Sequence, residues 1–265
     1  MKHIVIALGF GLLLFAQTTA CKKKPQVGGK GCEKAGPQTP RDIDNKAGMN
    51  KVVFAMAPPA AKLNLCNIHF HKGAEHKAKD FSIYAGDGQG GYGSGYKCAM
   101  SKSLSKAERK PVKGKICAGK HGDLKPGDTI EVHWVHTSCN VKPGPGLGSC
   151  LTKACQNPAL RVETQVFTLV NDPKALNFND LKLAKDLPTN TGTPVQFLGS
   201  TTGPKYSGTK CSPLKVTWSV RPKCARLDIN SVGKWCKKGN NVFKESYAHG
   251  VRKLVTNPKL LSQIK

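Results

Sequence analysis

From residue 63 to residue 220 the chain sets down short apolar runs separated by Gly, Pro and Asn. Runs of four to a dozen residues, rich in Val, Ile, Phe and Trp and bounded by turn formers, predict strands. The candidates are residues 63–71, 80–85, 129–137, 159–170, 194–198 and 214–220. Helical periodicity is weak and confined to residues 173–186 and the C-terminal "HGVRKLVTNPKLLSQI". The pattern predicts a mainly β domain with a few short peripheral helices. No internal repeat or second linker divides residues 36–265, so they read as a single domain.

The first twenty residues differ. "MKHIVIALGFGLLLFAQTTA" has a basic start, an apolar run from Ile4 to Phe15 and a small-residue end before Cys21. That run is too short to span a bilayer and predicts a secretory signal peptide over residues 1–20. Residues 21–35, rich in Lys, Gly and Pro, follow as a flexible leader. The chain is therefore expected outside the cytoplasm, periplasmic or extracellular. Cys21 at the cleavage point either carries a lipid anchor that tethers the chain to a membrane or is left as a free or intermolecular thiol.

Export changes the reading of the eleven cysteines. With Cys21 set apart, ten remain and can form five bridges, whose pairing the sequence does not dictate. Cys150 and Cys155 have a spacing zinc sites tolerate, but no second close pair matches them. The net charge of +26 is spread along the chain without a basic helix, zinc-finger spacing or aromatic RNA-binding signature, which argues against nucleic acid. It predicts instead a salt-sensitive attraction to anionic envelope polymers or lipids. The glycine-rich "GDGQGGYGSGY" at 86–96 lacks the Lys-Ser/Thr and helix of a phosphate-binding loop and reads as a flexible loop.

Two stretches carry the chemistry. In "NIHFHKGAEHKA" (67–78), His69 and His71 share one face of a strand, with Phe70 on the other. In "TIEVHWVHTSC" (129–139), Glu131 and His133 likewise share a face. His133 supplies a third imidazole, and Glu131 is placed to accept the second ring N–H of a metal-bound histidine. Three neutral histidines leave zinc its full charge and an open position, which is a catalytic arrangement. Such a site lowers the pKa of bound water to about 7 and predicts a hydroxide nucleophile.

The order "HFH…EH…EVHWVH" resembles the α-class carbonic anhydrases, as do "PQTPRDI" (37–43) and "GSTTGP" (199–204) followed by "VTWSV" (216–220). Over nearly all of residues 36–265 the closer similarity is to the δ-class and δ-like carbonic anhydrases, through "CNIHFHKGAEHKA", "KCSPLKVTWSVRPKCA" and "HGVRKLV". The resemblance implies a central, largely antiparallel twisted sheet and a zinc-hydroxide attack on carbon dioxide, giving bicarbonate and a proton. It makes His69, His71 and His133 the zinc ligands and Glu131 the carboxylate behind the third. Glu75 corresponds to the glutamate that orients a threonine hydroxyl, which is Thr201, with Thr202 next in line. Val135 and Trp218 correspond to the apolar carbon dioxide pocket, and His76 and His136 to histidines that hold no metal.

Departures from the α-class pattern are a shorter gap between His71 and Glu75, a missing leucine in "GSTT", extra residues at 205–210, and no alignable proton-shuttling histidine. Two rivals stand beside this reading. "HFHKGAE" satisfies a cupin metal motif and would make Glu75 a ligand of an oxygenase or isomerase. Leu63 stands where that motif wants glycine, and Thr137 where it wants asparagine. The other rival is an exported zinc-binding protein without activity; retention of all three histidines and both glutamates argues against it.

Overall fold

A computed structural model describes residues 32, 34–88, 92–201, 206 and 210–265. The signal segment, Cys21 and Thr202 lie outside the described residues. Among the described residues ten strands and one α-helix follow in order. They are β1 (Asn64–Lys72), β2 (Ile83–Tyr84), β3 (Tyr96–Lys97), β4 (Ile116–Gly119), β5 (Gly122–Leu124), β6 (Thr129–Thr137), β7 (Leu160–Val170), β8 (Val195–Ser200), β9 (Lys215–Val220), β10 (Ala225–Asp228) and α1 (Ile229–Trp235).

The central sheet runs β1-β6-β7-β9-β8, with β10 also on β7. It is mixed rather than largely antiparallel. The β1–β6, β6–β7 and β8–β9 pairs are antiparallel, whereas β9 and β10 run parallel to β7. Topology explains the departure. After β7 the chain crosses to the outer edge, descends as β8, and turns back as β9 into the gap beside β7. The next strand, β10, continues along the same edge: β9 faces Arg161 to Thr164 and β10 faces Phe167 to Val170.

Both faces of the sheet are covered, so every residue of β6 and β7 is buried. One face carries Ile68, Phe70, Val132, Trp134, Phe167 and Leu169 against Val232 and Trp235 of α1. The other carries Val135, Val162, Val166, Trp218 and Val220. Each such side chain contributes roughly 1.5–3 kcal/mol on burial. The site residues occupy the second face.

The strands expected at 63–71, 129–137, 159–170, 194–198 and 214–220 form within a residue or two of those bounds. Of the run at 80–85, Ile83–Tyr84 forms a strand against Tyr96–Lys97, and Phe81 makes an isolated bridge with Ala78. The two expected helices do not form. Residues 173–186 hold two 3-10 turns, Phe178–Asp180 and Ala184–Asp186, because Leu176 spends its backbone groups on Arg226 and Asp228. In the C-terminal stretch a single 3-10 turn, Pro258–Leu260, appears. Its backbone bonds sideways instead: His249 N–H donates to Phe70 O, Lys72 N–H to His249 O, and Val255 N–H to Pro40 O. The helix that does form, α1, opens on Asp228, whose carboxylate accepts from the amides of Asn230 and Ser231.

Among the described residues five disulfides join Cys32–Cys211, Cys66–Cys150, Cys98–Cys224, Cys117–Cys236 and Cys139–Cys155. Cys150 and Cys155, the spacing a zinc site tolerates, thus go to different partners. Cys32, at the end of the leader, is tied to Cys211 and buried. No described helix is long and apolar enough to cross a membrane.

Candidate metal centre

Strand register builds the site. His69 on β1 stands directly opposite His133 on β6, and His71 stands opposite Glu131. Partners across a strand pair point to the same face, so these four residues meet on the Trp218 side of the sheet. The rings of His69 and His133 lie 5.0 Å apart, those of His71 and His133 4.9 Å, and those of His69 and His71 5.3 Å.

Hydrogen bonds fix which nitrogen of each ring is bare. Asn67 donates its amide to Gly144 O at 3.0 Å, which turns its carbonyl oxygen toward His69 Nδ1 at 2.7 Å. His69 Nδ1 is therefore the donor and its Nε2 is bare. His71 Nδ1 donates to the Gly250 carbonyl at 2.9 Å, so its Nε2 is bare too. That atom is buried and has no hydrogen-bond partner. His133 donates Nε2–H to Glu131 Oε1 at 2.7 Å, which leaves Nδ1 bare. His133 Nδ1 and His69 Nε2 then face each other at 3.2 Å with no proton between them.

One nitrogen from each of His69, His71 and His133 falls in a group whose members lie within 4.8 Å of one another. Converging lone pairs, one of them an orphan in the interior, are the donor set of a divalent cation such as zinc, and the residues fit that ion. Burial is the main cause that holds all three rings neutral; His133 and His71 add to it at His69 and His249 adds to it at His71, while at His133 the hydrogen bond to Glu131 pulls the other way. His69 is pushed well below its usual range, His71 to about 4, and His133 downward.

His76, Glu131 and His133 form a second close group, but hydrogen bonds occupy it. Glu131 Oε1 accepts from both rings at 2.7 Å, and Oε2 accepts the His76 amide at 2.9 Å. Burial alone would push the Glu131 carboxyl up; the two imidazoles outweigh it and hold the group well below its usual range. Glu131 is thus a buried carboxylate with three donors.

Glu75 is buried 3.5 Å from His71 Nδ1, yet it is not in the histidine group, and one of its oxygens accepts the Arg252 amide at 2.8 Å. Burial pushes its pKa up, against the pull of His133. Thr201 is buried, with its hydroxyl 3.3 Å from Ser212 Oγ. Trp218 sets its ring 5.0 Å from His133 and 4.7 Å from His76, and donates Nε1–H to Ser200 O. Val135 packs in the same cluster. His136 points to the opposite face and bonds Trp134 O.

Three participants escaped sequence reasoning. Asn67 precedes His69 by two residues just as Glu131 precedes His133, so the repeated spacing was a usable signal. Gly250 acts through its carbonyl, which leaves no trace in residue type. His249 lies beside both strand-β1 histidines, its ring 5.8 Å from each, and pairs with Glu245 at 2.9 Å.

Among solved structures, the chain is similar to the α-carbonic anhydrase from Thermovibrio ammonificans in complex with the inhibitor sulfanilamide. The identity is 16%, covering 82% of each chain, with a TM-score of 0.28. It is also similar to the Photobacterium profundum α-carbonic anhydrase, at 16% identity over 85% of this chain and 88% of that one, with a TM-score of 0.28. No curated protein matches it. The sequence profile described as Delta carbonic anhydrase matches residues 60–231, more than half of the 265 residues, and the chain belongs to that family.

Proposed function

We propose that this chain catalyses the reversible hydration of carbon dioxide to bicarbonate and a proton, with zinc held by His69, His71 and His133. The observation that carries the reading is the ordering of protons in the site. Asn67, Gly250 and Glu131 each hold a proton on the outer nitrogen of one ring, and all three inner nitrogens are bare. When bound, zinc supplies the Lewis acidity that brings the pKa of a water down to about 7.

The remaining roles belong to the chain. Glu131 fixes the His133 tautomer and raises the basicity of its inner nitrogen. Trp218, with its ring 5.0 Å from His133, and Val135, two residues along the same strand face, give that side of the site an apolar lining, suited to a substrate without charge or dipole. Glu75 accepts a hydrogen bond from a threonine hydroxyl of the Thr201–Thr202 pair. A hydroxyl that has given its proton to Glu75 can only accept from the water-derived nucleophile, which turns a lone pair of that nucleophile toward carbon. Thr201 already lies against Ser212, which favours Thr202 for this task. The five disulfides suit an oxidising compartment, and we read residues 1–20 as the signal that delivers the chain there.

Stopped-flow carbon dioxide hydration by purified protein tests the reading, as isolated, after chelation and after zinc is restored. A rate lost on chelation, regained with zinc and absent in His133→Ala is expected. A rate independent of zinc, or undiminished in His133→Ala, would sink it.

A further inference from the structure

A cavity of about 660 Å³ opens among the loops that flank β1 and β6; none of the three histidines of the metal centre lines it, and it shares only Gly250 with their hydrogen-bond partners. Lys72, Lys97, Lys120 and His121 line it, and Asp128 is the one acid among its described lining residues. Lys72 is partly engaged, donating to Asp123 O at 2.7 Å and lying 3.8 Å from Asp128. Lys120 lies over the Tyr92 ring at 5.5 Å, and Lys97, whose backbone pairs with Ile83, has no described side-chain hydrogen bond or ion pair. Three lysines thus line one concave space that has a single carboxylate among its described lining residues. Low-dielectric walls concentrate such a field rather than let solvent disperse it.

Two further features fit an anionic occupant. Gly86 contributes backbone without a side chain on one side, where a Cβ would meet nothing within 4 Å; its φ of +106° requires the glycine, and the cavity stays open there. His121 reports the local potential. Burial first, and then Lys120, His249 and Lys72, push its pKa down, as a positive environment must.

We propose that this cavity is a binding site for a phosphate group, free or carried on a small organic moiety. A tetrahedral oxyanion of two negative charges matches the excess of two positive charges among Lys72, Lys97, Lys120 and Asp128. The volume leaves room for an attached group. The binding requires no turnover of carbon dioxide and stands or falls separately from the proposed activity. It also differs from anion binding at the metal centre, which the removal of metal would abolish.

Calorimetric titration of the disulfide-bonded protein, with and without chelator, tests the site. The probes are inorganic phosphate, glycerol phosphate and, as the neutral control, glycerol. Saturable binding of a phosphate probe is expected in both metal states, weakened at least tenfold in K97Q/K120Q. The control K182Q/K185Q removes two exposed lysines away from the cavity and is expected to change binding less than twofold. His121, followed by NMR, is expected to titrate at higher pH with phosphate and not with glycerol. Tighter binding of glycerol phosphate than of phosphate assigns the organic moiety a place in the cavity. No saturable binding, binding lost with the metal, or equal loss in both lysine pairs would overturn the proposal.

Discussion

Replacing Glu131 by Gln tests the proton-ordering argument at its most constrained point. The carboxylate accepts three hydrogen bonds and gives none: two from imidazoles at 2.7 Å and one from the His76 amide at 2.9 Å. A glutamine offers one oxygen and one NH₂. If the oxygen faces the rings, the NH₂ meets the His76 amide, and a buried donor is left without an acceptor. If it turns round, the NH₂ meets both ring N–H groups. His133 then keeps a partner only by moving its proton to Nδ1, the atom that faces His69 Nε2 at 3.2 Å. The first outcome costs stability, about 1–3 kcal/mol for the stranded donor. The second costs metal affinity, for which loss of such a partner typically means 10–100-fold, or roughly 1.4–2.8 kcal/mol. Glu131→Gln is therefore expected to weaken zinc at least tenfold in competition against a chromophoric chelator, and to lower the melting temperature of the metal-free protein. Zinc affinity within twofold of the parent, together with an unchanged melt, would refute the claim that Glu131 sets the His133 tautomer.

Three further outcomes are expected. The metal-free protein loses stability on acidification. His71 titrates at about 4 when folded, below its ordinary 6.5, so between those values only the unfolded chain binds the proton. Stability therefore falls as pH drops through this window, by roughly 3 kcal/mol for His71 alone. His69 and His133 act in the same sense, and Glu75, pushed upward, in the opposite one; urea midpoints between pH 7 and 4 measure the balance. Removing Cys98–Cys224 as the Ala/Ala pair separates residues 126 apart in sequence. Cys117–Cys236 still ties the two neighbourhoods together, so the loop released is about 30 residues and chain entropy puts the loss at about 4 kcal/mol, readable by denaturant unfolding. Thr202→Val is expected to lower kcat/KM for carbon dioxide roughly 100-fold, the scale of losing one hydrogen bond to the reacting atoms. Thr201→Val should change it less than fivefold, and the reverse order would put Thr201 at Glu75.

Legibility followed period and atom type. The strands of the metal site were readable because two-residue alternation is explicit in "HFH" and "EVH" and both faces are buried. The helix α1 was missed because seven residues give barely two turns of pattern, although Asp228 as cap and Ile229, Val232 and Trp235 on one side were there to be seen. The C-terminal stretch was misread because its apolar spacing imitates a helix. Its backbone is committed to Phe70, Lys72 and Pro40, and contacts with residues so far away in sequence leave no local mark. The same reason hides Gly250, a carbonyl brought to His71 by that lateral pairing, and the basic cavity, whose lysines come from three separate segments.

The packing of the sheet and the geometry of the metal centre are one problem. A slip of β1 by one residue along β6, itself held in register by β7, would turn Ile68 and Phe70 out of their core and bring them to the site face. At roughly 1.5–3 kcal/mol each, these two oppose the slip by about 3–6 kcal/mol, a large part of the whole stability of a typical domain. The histidines contribute little to that sum, since three neutral imidazoles with converging lone pairs are a burden until a cation arrives. The apolar residues between them therefore hold His69 opposite His133 and His71 opposite Glu131. Core substitutions such as Phe70→Ala should accordingly disturb metal binding without touching a ligand, while surface changes on the same strands should not.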